Sequence, residues 1–339
     1  MDTGNQKEHS AEELRRVKER YPALVNDYYL ELARSAGAPV ARQVLPDPEE
    51  ISGLNENLPE DPILEERYAP VHNLTHRYRD RVLFLISDRC PIYCRFCTRK
   101  RKVGRSLKVT EESVSDGIRY IRENPGIRDV LLSGGDPLML DDSRLGRIIS
   151  EIRDIPHVEI IRVGTRVPAA FPERVSTGLA DLLAGYPPLY IHTHFNHPAE
   201  ITPDSRKACR LLADAGIPLG NQTVLLKGIN DDPDVLERLF RELILMRVKP
   251  YYLFQMDEVR GARHFRTPLT EGIRIMEELR RRTSPMALPV FAVDLPDGAG
   301  KAFPAWTSVL SPGTPDQSVI TPEGKVVPFP EEGKLEGKG

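Results

Sequence analysis

The sequence of 339 residues is poor in cysteine, since only four are present in the whole chain. Three of these, Cys90, Cys94 and Cys97, lie together in one short segment. A disulfide framework needs cysteines paired along the chain and forms in oxidising compartments. The cysteine content therefore argues against a disulfide-stabilised secreted protein and favours a metal site in a reducing cytoplasm.

Long apolar runs and an excess of charge of one sign are also missing. The first ten residues lack the apolar core of a signal peptide, and no apolar run is long enough to cross a bilayer. The formal net charge of −3 is close to neutral, so the composition favours neither nucleic acid nor a membrane surface as a partner. We expect a cytoplasmic protein with no such partners.

The clustered cysteines have the spacing C-x3-C-x2-C and directly follow an apolar run at 81–87 that is typical of a buried strand. Three thiolates can hold three irons of an iron–sulfur cube, which leaves the fourth iron open to an outside ligand. The alternatives are a structural zinc site and unrelated buried thiols. Structural zinc usually has four protein ligands, and the remaining cysteine, Cys209, is far away in the sequence. The spacing therefore favours a catalytic cluster.

Apolar runs alternate with helical patterns along the rest of the chain. The further strand candidates are 129–132, 158–163, 189–193, 222–226, 251–255 and 290–293, and the helical patterns are 111–123, 145–154, 173–184, 205–215, 234–246 and 270–282. Such alternation predicts an α/β protein with a parallel sheet and right-handed crossovers. With this number of units we expect an incomplete (β/α)6-type barrel.

Both ends of the chain extend beyond this barrel. We expect a helix from residue 10 to about 36, with a possible capping box at Ser10–Glu13, followed by a Pro- and acid-rich wrap over 37–75. Apolar residues at 318–320 and 325–327 flank a Pro-Glu-Gly sequence and predict a short C-terminal β-hairpin. The resulting division is an N-terminal extension (1–75), the barrel (76–300) and a lysine loop with a tail (301–339).

Functional residues of parallel barrels lie at the C-terminal ends of the strands. The second strand ends in Ser133, Gly134, Gly135 and Asp136, where paired glycines either allow close approach to a ligand or make a plain tight turn. The fourth strand ends in His192-Thr-His194, which can bind a metal. Positioning of a cofactor is favoured, because a hydrolase would need further ligands on later strands. Other polar candidates are Gln222, Asp257 and Asp294.

Basic residues before the first strand and a lysine after the last one are further candidates. The segment His76–Arg81 is either a solvated basic edge or an anion site, since arginine forks match phosphate oxygens. Lys301 ends Gly298-Ala-Gly-Lys, which is not a phosphate loop because Leu295 and Ala302 occupy the glycine and Ser/Thr positions. A lysine in a Gly-rich loop suits an imine-forming residue, although lone lysines are usually solvated.

The cysteine spacing after a barrel strand resembles the radical S-adenosylmethionine (SAM) enzymes. The resemblance implies a [4Fe–4S] cluster on Cys90, Cys94 and Cys97 whose open iron binds SAM. An electron from the cluster then cleaves SAM to a 5′-deoxyadenosyl radical. The residues it implies for SAM binding are Ser133, Gly134, Gly135, Asp136, His194 and Gln222.

Several segments between about residues 60 and 310 together resemble the lysine 2,3-aminomutases, which also use pyridoxal 5′-phosphate (PLP). They are Thr75-His-Arg-Tyr78, Cys97-Thr-Arg99, 129–136, 192–198, 218–222, 249–252, 264–268 and 298–301. This resemblance implies that the amino group of L-lysine moves from Cα to Cβ to give β-lysine. Lys301 would carry PLP, and Arg77, Tyr78 and Arg81 would hold its phosphate. Arg99 would meet the substrate carboxylate, and Asp257 and Asp294 would bind the distal ammonium.

Two alternatives remain. The same migration can act on another cationic amino acid such as arginine or ornithine, whereas two acidic residues disfavour a dicarboxylic substrate. A non-catalytic iron–sulfur redox or sensing protein is disfavoured because it needs no PLP. The resemblance also implies an electron donor such as flavodoxin or ferredoxin and a homo-oligomer. Departures are Pro91, one missing glycine before Lys301, and no cysteine after Cys209 for the zinc of familiar members.

Overall fold

The computed structural model describes residues 10–55, 57–305, 309–310, 318–320 and 325–328. Within them, nine strands form one sheet in which the spatial order follows the sequence order. The strands are β1 (Leu74–Tyr78), β2 (Arg81–Ser87), β3 (Asp129–Gly134), β4 (Ile160–Gly164), β5 (Leu189–Thr193), β6 (Leu219–Leu225), β7 (Val248–Gln255), β8 (Val290–Leu295) and β9 (Gly300–Ala302).

Strands β2 to β8 are parallel to their neighbours, and β1 and β9 add antiparallel strands at the two edges. The sheet is curled and does not close, so the predicted incomplete barrel is confirmed. The carboxyl ends of the parallel strands meet at one edge of such a sheet, where sites are built.

Ten α-helices lie in the described part of the chain. They are α1 (Ala11–Arg20), α2 (Asp27–Ala36), α3 (Ala38–Ala41), α4 (Glu111–Glu123), α5 (Asp142–Arg153), α6 (Val167–Ala170), α7 (Thr177–Ala184), α8 (Pro203–Asp214), α9 (Pro233–Leu245) and α10 (Leu269–Arg282). The long helices between successive parallel strands pack against the sheet. Their apolar faces and the buried strand residues form one core, which includes Phe84, Val130, Ile161 and Phe240.

The N-terminal extension differs from the prediction of one helix. The capping box is present, since Ser10 Oγ accepts from the Glu13 N–H at 3.2 Å, but the helix ends at Arg20. Pro22 has no N–H to continue it. A second helix begins after Asn26, whose side chain accepts the Tyr29 N–H at 2.8 Å.

Element boundaries also shift elsewhere. The third crossover helix begins at Thr177, not at residue 173, because Ser176 caps it by accepting the Leu179 N–H at 3.1 Å. Strand β6 begins three residues earlier than predicted, so Gln222 lies inside the strand.

The C-terminal tail forms a small separate sheet of β10 (Val309–Leu310), β11 (Ser318–Ile320) and β12 (Val326–Pro328), all antiparallel. The two runs of the predicted hairpin pair as β11 and β12, while its turn at 321–324 lies outside the described residues. The proposed division into three segments stays a prediction. Among the described helices, none is long and apolar enough to cross a membrane.

Candidate active site

The cysteine loop follows β2 and is clamped by the N-terminal extension. Arg95, next to Cys94, is fully buried, and its Nη2 lies 2.6 Å from Oε2 of Glu50. Arg95 also donates to the Pro22 carbonyl at 2.8 Å, so the chain just past the first helix is held against the cysteine loop. Lys100, on the other side of the loop, donates to the same Glu50 oxygen at 2.7 Å. Buried charges are paired in this way because isolated ones are costly.

The three cysteines of this loop are free of disulfides, and their charges act on one another. Burial and then the neighbouring Cys94 raise the pKa of Cys97 to about 11. Burial, Cys97, Asp136 and Cys94 also raise the pKa of Cys90 well above its usual range. Mutual repulsion of this kind is relieved when the sulfurs bind iron.

The donor set fits a cluster better than a single ion. In the described residues, no three histidine, cysteine or acidic side chains converge on one metal ion. In a cubane each thiolate binds a different iron, so the sulfurs need not converge on one point. Three cysteines on one short loop whose charges act on one another, with no fourth cysteine nearby, therefore fit a cluster with one open iron.

Arg166, just past β4, contacts this loop and was not assigned from the sequence. Its Nη1 donates to Sγ of Cys94 at 2.7 Å, and its Nη2 donates to Oε1 of Glu200 at 2.9 Å. The position at a strand end was a usable signal, but nothing in the sequence identified its partners.

The paired glycines bring the end of β3 against the cysteine loop. Gly134 has a φ of 138°, and a Cβ there would lie 2.2 Å from the Ser87 carbonyl oxygen. A Cβ on Gly135 would lie 2.2 Å from the Arg89 carbonyl oxygen. Asp136 is buried and accepts from the Thr165 hydroxyl at 2.7 Å. This close approach is between two protein segments, and SAM binding by Ser133–Asp136 stays a prediction.

The two histidines of the fourth parallel strand have different surroundings. His194 is buried, its Nε2 has no hydrogen-bond partner, and burial and then Arg166 lower its pKa to about 3. An unpartnered buried nitrogen is unusual and fits a site that a ligand completes. His192 also has a buried nitrogen without a partner, Nδ1, and its ring stacks on Tyr251 with ring centroids 4.7 Å apart. Gln222 is half-buried in β6.

Lys301 and Asp294 lie opposite each other on β9 and β8. The lysine Nζ is 2.7 Å from Oδ2 of Asp294 and 4.3 Å from the centre of the Phe254 ring. Asp257 interacts electrostatically with both residues: burial and then the charge of Asp294 raise its pKa to about 7, whereas Lys301 lowers it. The structure thus brings together the three residues that the sequence placed at the barrel mouth.

Arg99 has an internal partner that the sequence did not reveal. Its guanidinium lies 2.6 Å from Oε1 of Glu65, which belongs to the wrap and is buried. Burial favours the neutral acid, but Arg99 and then Arg101 lower the pKa of Glu65, so the pair is ionic. Glu65 is 34 residues from Arg99 in the sequence, and no local pattern marks it.

The predicted phosphate-binding residues lie on β1 and at the start of β2. Nη2 of Arg77 is buried without a partner, and it would lie 3.9 Å from a Cβ on Gly300, next to Lys301. The Arg81 guanidinium stacks over the Tyr78 ring at 4.1 Å. An unpaired buried guanidinium nitrogen beside the lysine strand fits a phosphate group.

Comparisons with known proteins place the chain among related sequences. Residues 84–239 match the radical SAM superfamily. The L-lysine 2,3-aminomutase of Fusobacterium nucleatum is 48% identical over 87% of this chain and 70% of its own length. The L-lysine 2,3-aminomutase of Clostridium subterminale is 49% identical over 82% of this chain and 67% of its own length. The glutamate 2,3-aminomutase of Clostridioides difficile is 41% identical over 95% of this chain and 76% of its own length.

Proposed function

The chain belongs to the L-lysine 2,3-aminomutase family of radical SAM enzymes, and we propose that it converts L-lysine to β-lysine. It is an isomerase that uses a [4Fe–4S] cluster, SAM and PLP. When bound, the cluster and SAM supply radical chemistry, and PLP supplies the carbonyl carbon that engages the amino group.

One observation carries the choice of lysine. The barrel mouth already binds a primary alkylammonium, because Lys301 Nζ lies 2.7 Å from Oδ2 of Asp294, and the charges of both residues act on Asp257. The distal ammonium of L-lysine has the same chemistry. A desolvated ammonium must be paired, and the carboxylates of Asp294 in β8 and of Asp257 just past the neighbouring parallel strand β7 would provide that pairing.

Lys301 and the substrate would use Asp294 in turn. One carboxylate oxygen cannot hold both ammonium groups in the same place, so Lys301 must move away before the substrate ammonium can bind there. The Gly-rich approach to Lys301 permits such movement, since Gly298 and Gly300 have φ values of 70° and 113°. Asp294 would thereby couple the position of Lys301 to substrate binding.

Arg99 would bind the substrate carboxylate, with Glu65 orienting its guanidinium from behind. Arg77, Tyr78 and Arg81 would bind the PLP phosphate. His194 stays neutral at physiological pH and would offer its unpartnered nitrogen to SAM together with Gln222 and the Ser133–Asp136 segment. The hydrophobic and aromatic lining, which includes Phe254, would exclude water from the reacting atoms.

The acidic pair argues against the substrate of the glutamate-acting relative. A dicarboxylic amino acid would place a third negative charge beside Asp257 and Asp294. Arginine and ornithine carry a distal cation, and they are the competing substrates to test. We further propose a cytoplasmic homo-oligomer that receives electrons from flavodoxin or ferredoxin, since the oxygen-sensitive cluster needs a reducing compartment.

The test is an anaerobic assay of the reconstituted protein with SAM, PLP and dithionite over lysine, ornithine, arginine and glutamate. Products are identified by NMR. We expect β-lysine as the main product and no turnover of glutamate. Turnover of another amino acid alone, with lysine unchanged, would refute lysine as the substrate but would leave the proposed 2,3-aminomutase reaction standing. Absence of deoxyadenosine with every amino acid would refute both.

A further inference from the structure

A single buried guanidinium connects the cysteine loop to the N-terminal extension. Arg166 is 6% exposed, and its Nη1 donates to Sγ of Cys94 at 2.7 Å. Its Nη2 donates to the Tyr29 hydroxyl at 3.0 Å, Gln43 Oε1 at 2.5 Å and Glu200 Oε1 at 2.9 Å. One end of the guanidinium therefore points at the sulfur and the other at a set of oxygen acceptors.

Glu200 holds this orientation from the far side. The carboxylate is fully buried, and its Oε2 accepts the backbone N–H groups of Asn196 at 2.8 Å and His197 at 2.9 Å. Its Oε1 also accepts the Tyr29 hydroxyl at 2.8 Å. A carboxylate fixed by this many donors does not rotate freely, so Arg166 is fixed in turn.

We propose that Arg166 is a positioning residue that raises the reduction potential of the iron–sulfur cluster through its hydrogen bond to Cys94. Reduction adds negative charge to the cluster and its sulfurs. A positively charged donor on a thiolate stabilises that charge, and hydrogen bonds to sulfur, net charge and burial are known determinants of cluster potential. The effect is strong here because the guanidinium is shielded from water.

The proposal rests on the cluster of the proposed function and not on the identity of the amino acid. It is tested by an EPR-monitored reductive titration of the full chain, reconstituted anaerobically without SAM, PLP or substrate. The variants are Arg166→Gln, Arg166→Lys and the double change Arg166→Gln with Glu200→Gln. Iron and sulfide content and thermal unfolding are measured for each one.

We expect a lower midpoint potential in Arg166→Gln, because the donor cation is lost while Glu200 keeps its charge. Arg166→Lys should shift the potential less than Arg166→Gln does, since the positive charge remains although the planar guanidinium with its several donors is lost. The double variant should lie closer to wild type than Arg166→Gln does, because both charges are removed. Arg95→Lys is the matched control, since Arg95 is also buried and ion-paired, and its guanidinium donates to oxygens of Glu50, Tyr21 and Pro22. Its shift should be smaller than that of Arg166→Lys.

A wild-type midpoint in both Arg166 variants, with full iron and sulfide content, overturns the proposal. If Arg166→Gln does not retain the cluster, the comparison of Arg166→Lys with Arg95→Lys decides by itself. Failure of the wild type to act on lysine would leave this titration unaffected, so the two claims fail separately.

Discussion

Lys301 and Asp294 face each other across the antiparallel pair β8–β9, with Nζ 2.7 Å from Oδ2. The residue proposed to carry PLP is thus paired with a residue proposed to bind the substrate ammonium. This relationship makes the acidic pair at the barrel mouth the most direct place to test substrate choice.

Asp294→Asn should lower kcat/KM for lysine by roughly a hundredfold. Removing one partner of a buried charge pair typically costs about 3–5 kcal/mol, and about 3 kcal/mol corresponds to that factor. Cluster content and SAM binding should be retained. Asp214→Asn is the control, because Asp214 pairs with Arg247 at the surface, where such pairs contribute little. Wild-type turnover of lysine in Asp294→Asn would show that this carboxylate does not bind the distal ammonium of the substrate.

Asp257 should impose a pH dependence near neutrality. Its pKa of about 7 means that half of the carboxyl groups are protonated there and cannot pair with an ammonium. We expect kcat/KM for lysine to rise as the pH passes through about 7, because kcat/KM reports groups of the free enzyme. The rise in the pH profile of kcat/KM should be missing in Asp257→Asn. If the rise persists in this variant, the ionisation belongs to another group.

The same group should affect stability in the opposite direction. A carboxyl group whose pKa is raised on folding stabilises the fold below its ordinary pKa of 3.8, and that contribution disappears as the pH rises through about 7. Denaturant titrations at several pH values should show the wild type losing stability across this window relative to Asp257→Asn. Parallel curves for the two proteins would contradict the raised pKa.

Lys301→Ala should lose covalent attachment of PLP and keep the cluster. The measurement is borohydride reduction of the PLP-loaded protein followed by peptide mapping, with iron content determined in parallel. Lys249→Ala is the control, because the Lys249 ammonium donates to the backbone carbonyls of Met286 and Leu288. It should be labelled like the wild type. PLP trapped on another lysine in the wild type would reject the assignment of Lys301.

Gly135→Ala should prevent proper assembly of the cysteine loop. The added Cβ would lie 2.2 Å from the Arg89 carbonyl oxygen, so the backbone has to shift at an expected cost of about 1–3 kcal/mol. Reduced iron content and a lower Tm are expected. Gly178→Ala is the control, since its Cβ would meet only the Ser176 hydroxyl at 3.8 Å. Equal behaviour of the two variants would show that the glycine pair does not hold the loop.

The sequence by itself determined the strand–helix alternation and the candidates at the strand ends, including Cys94, Asp257 and Asp294. These signals are local, because hydrophobic periodicity and cysteine spacing are properties of short segments. The rule that strand ends share one edge then placed distant residues at one barrel mouth.

Tertiary structure alone decided the partners of the buried charges. Glu65 pairs with Arg99 across 34 residues, and Arg95 donates to the carbonyls of Tyr21 and Pro22 after the first helix. Arg166 meets Glu200 and Cys94 only because the ends of β4 and β5 converge on the cysteine loop. A buried charge must be paired with a counter-charge. Which residue provides that counter-charge depends on packing between distant segments rather than on any sequence pattern within them.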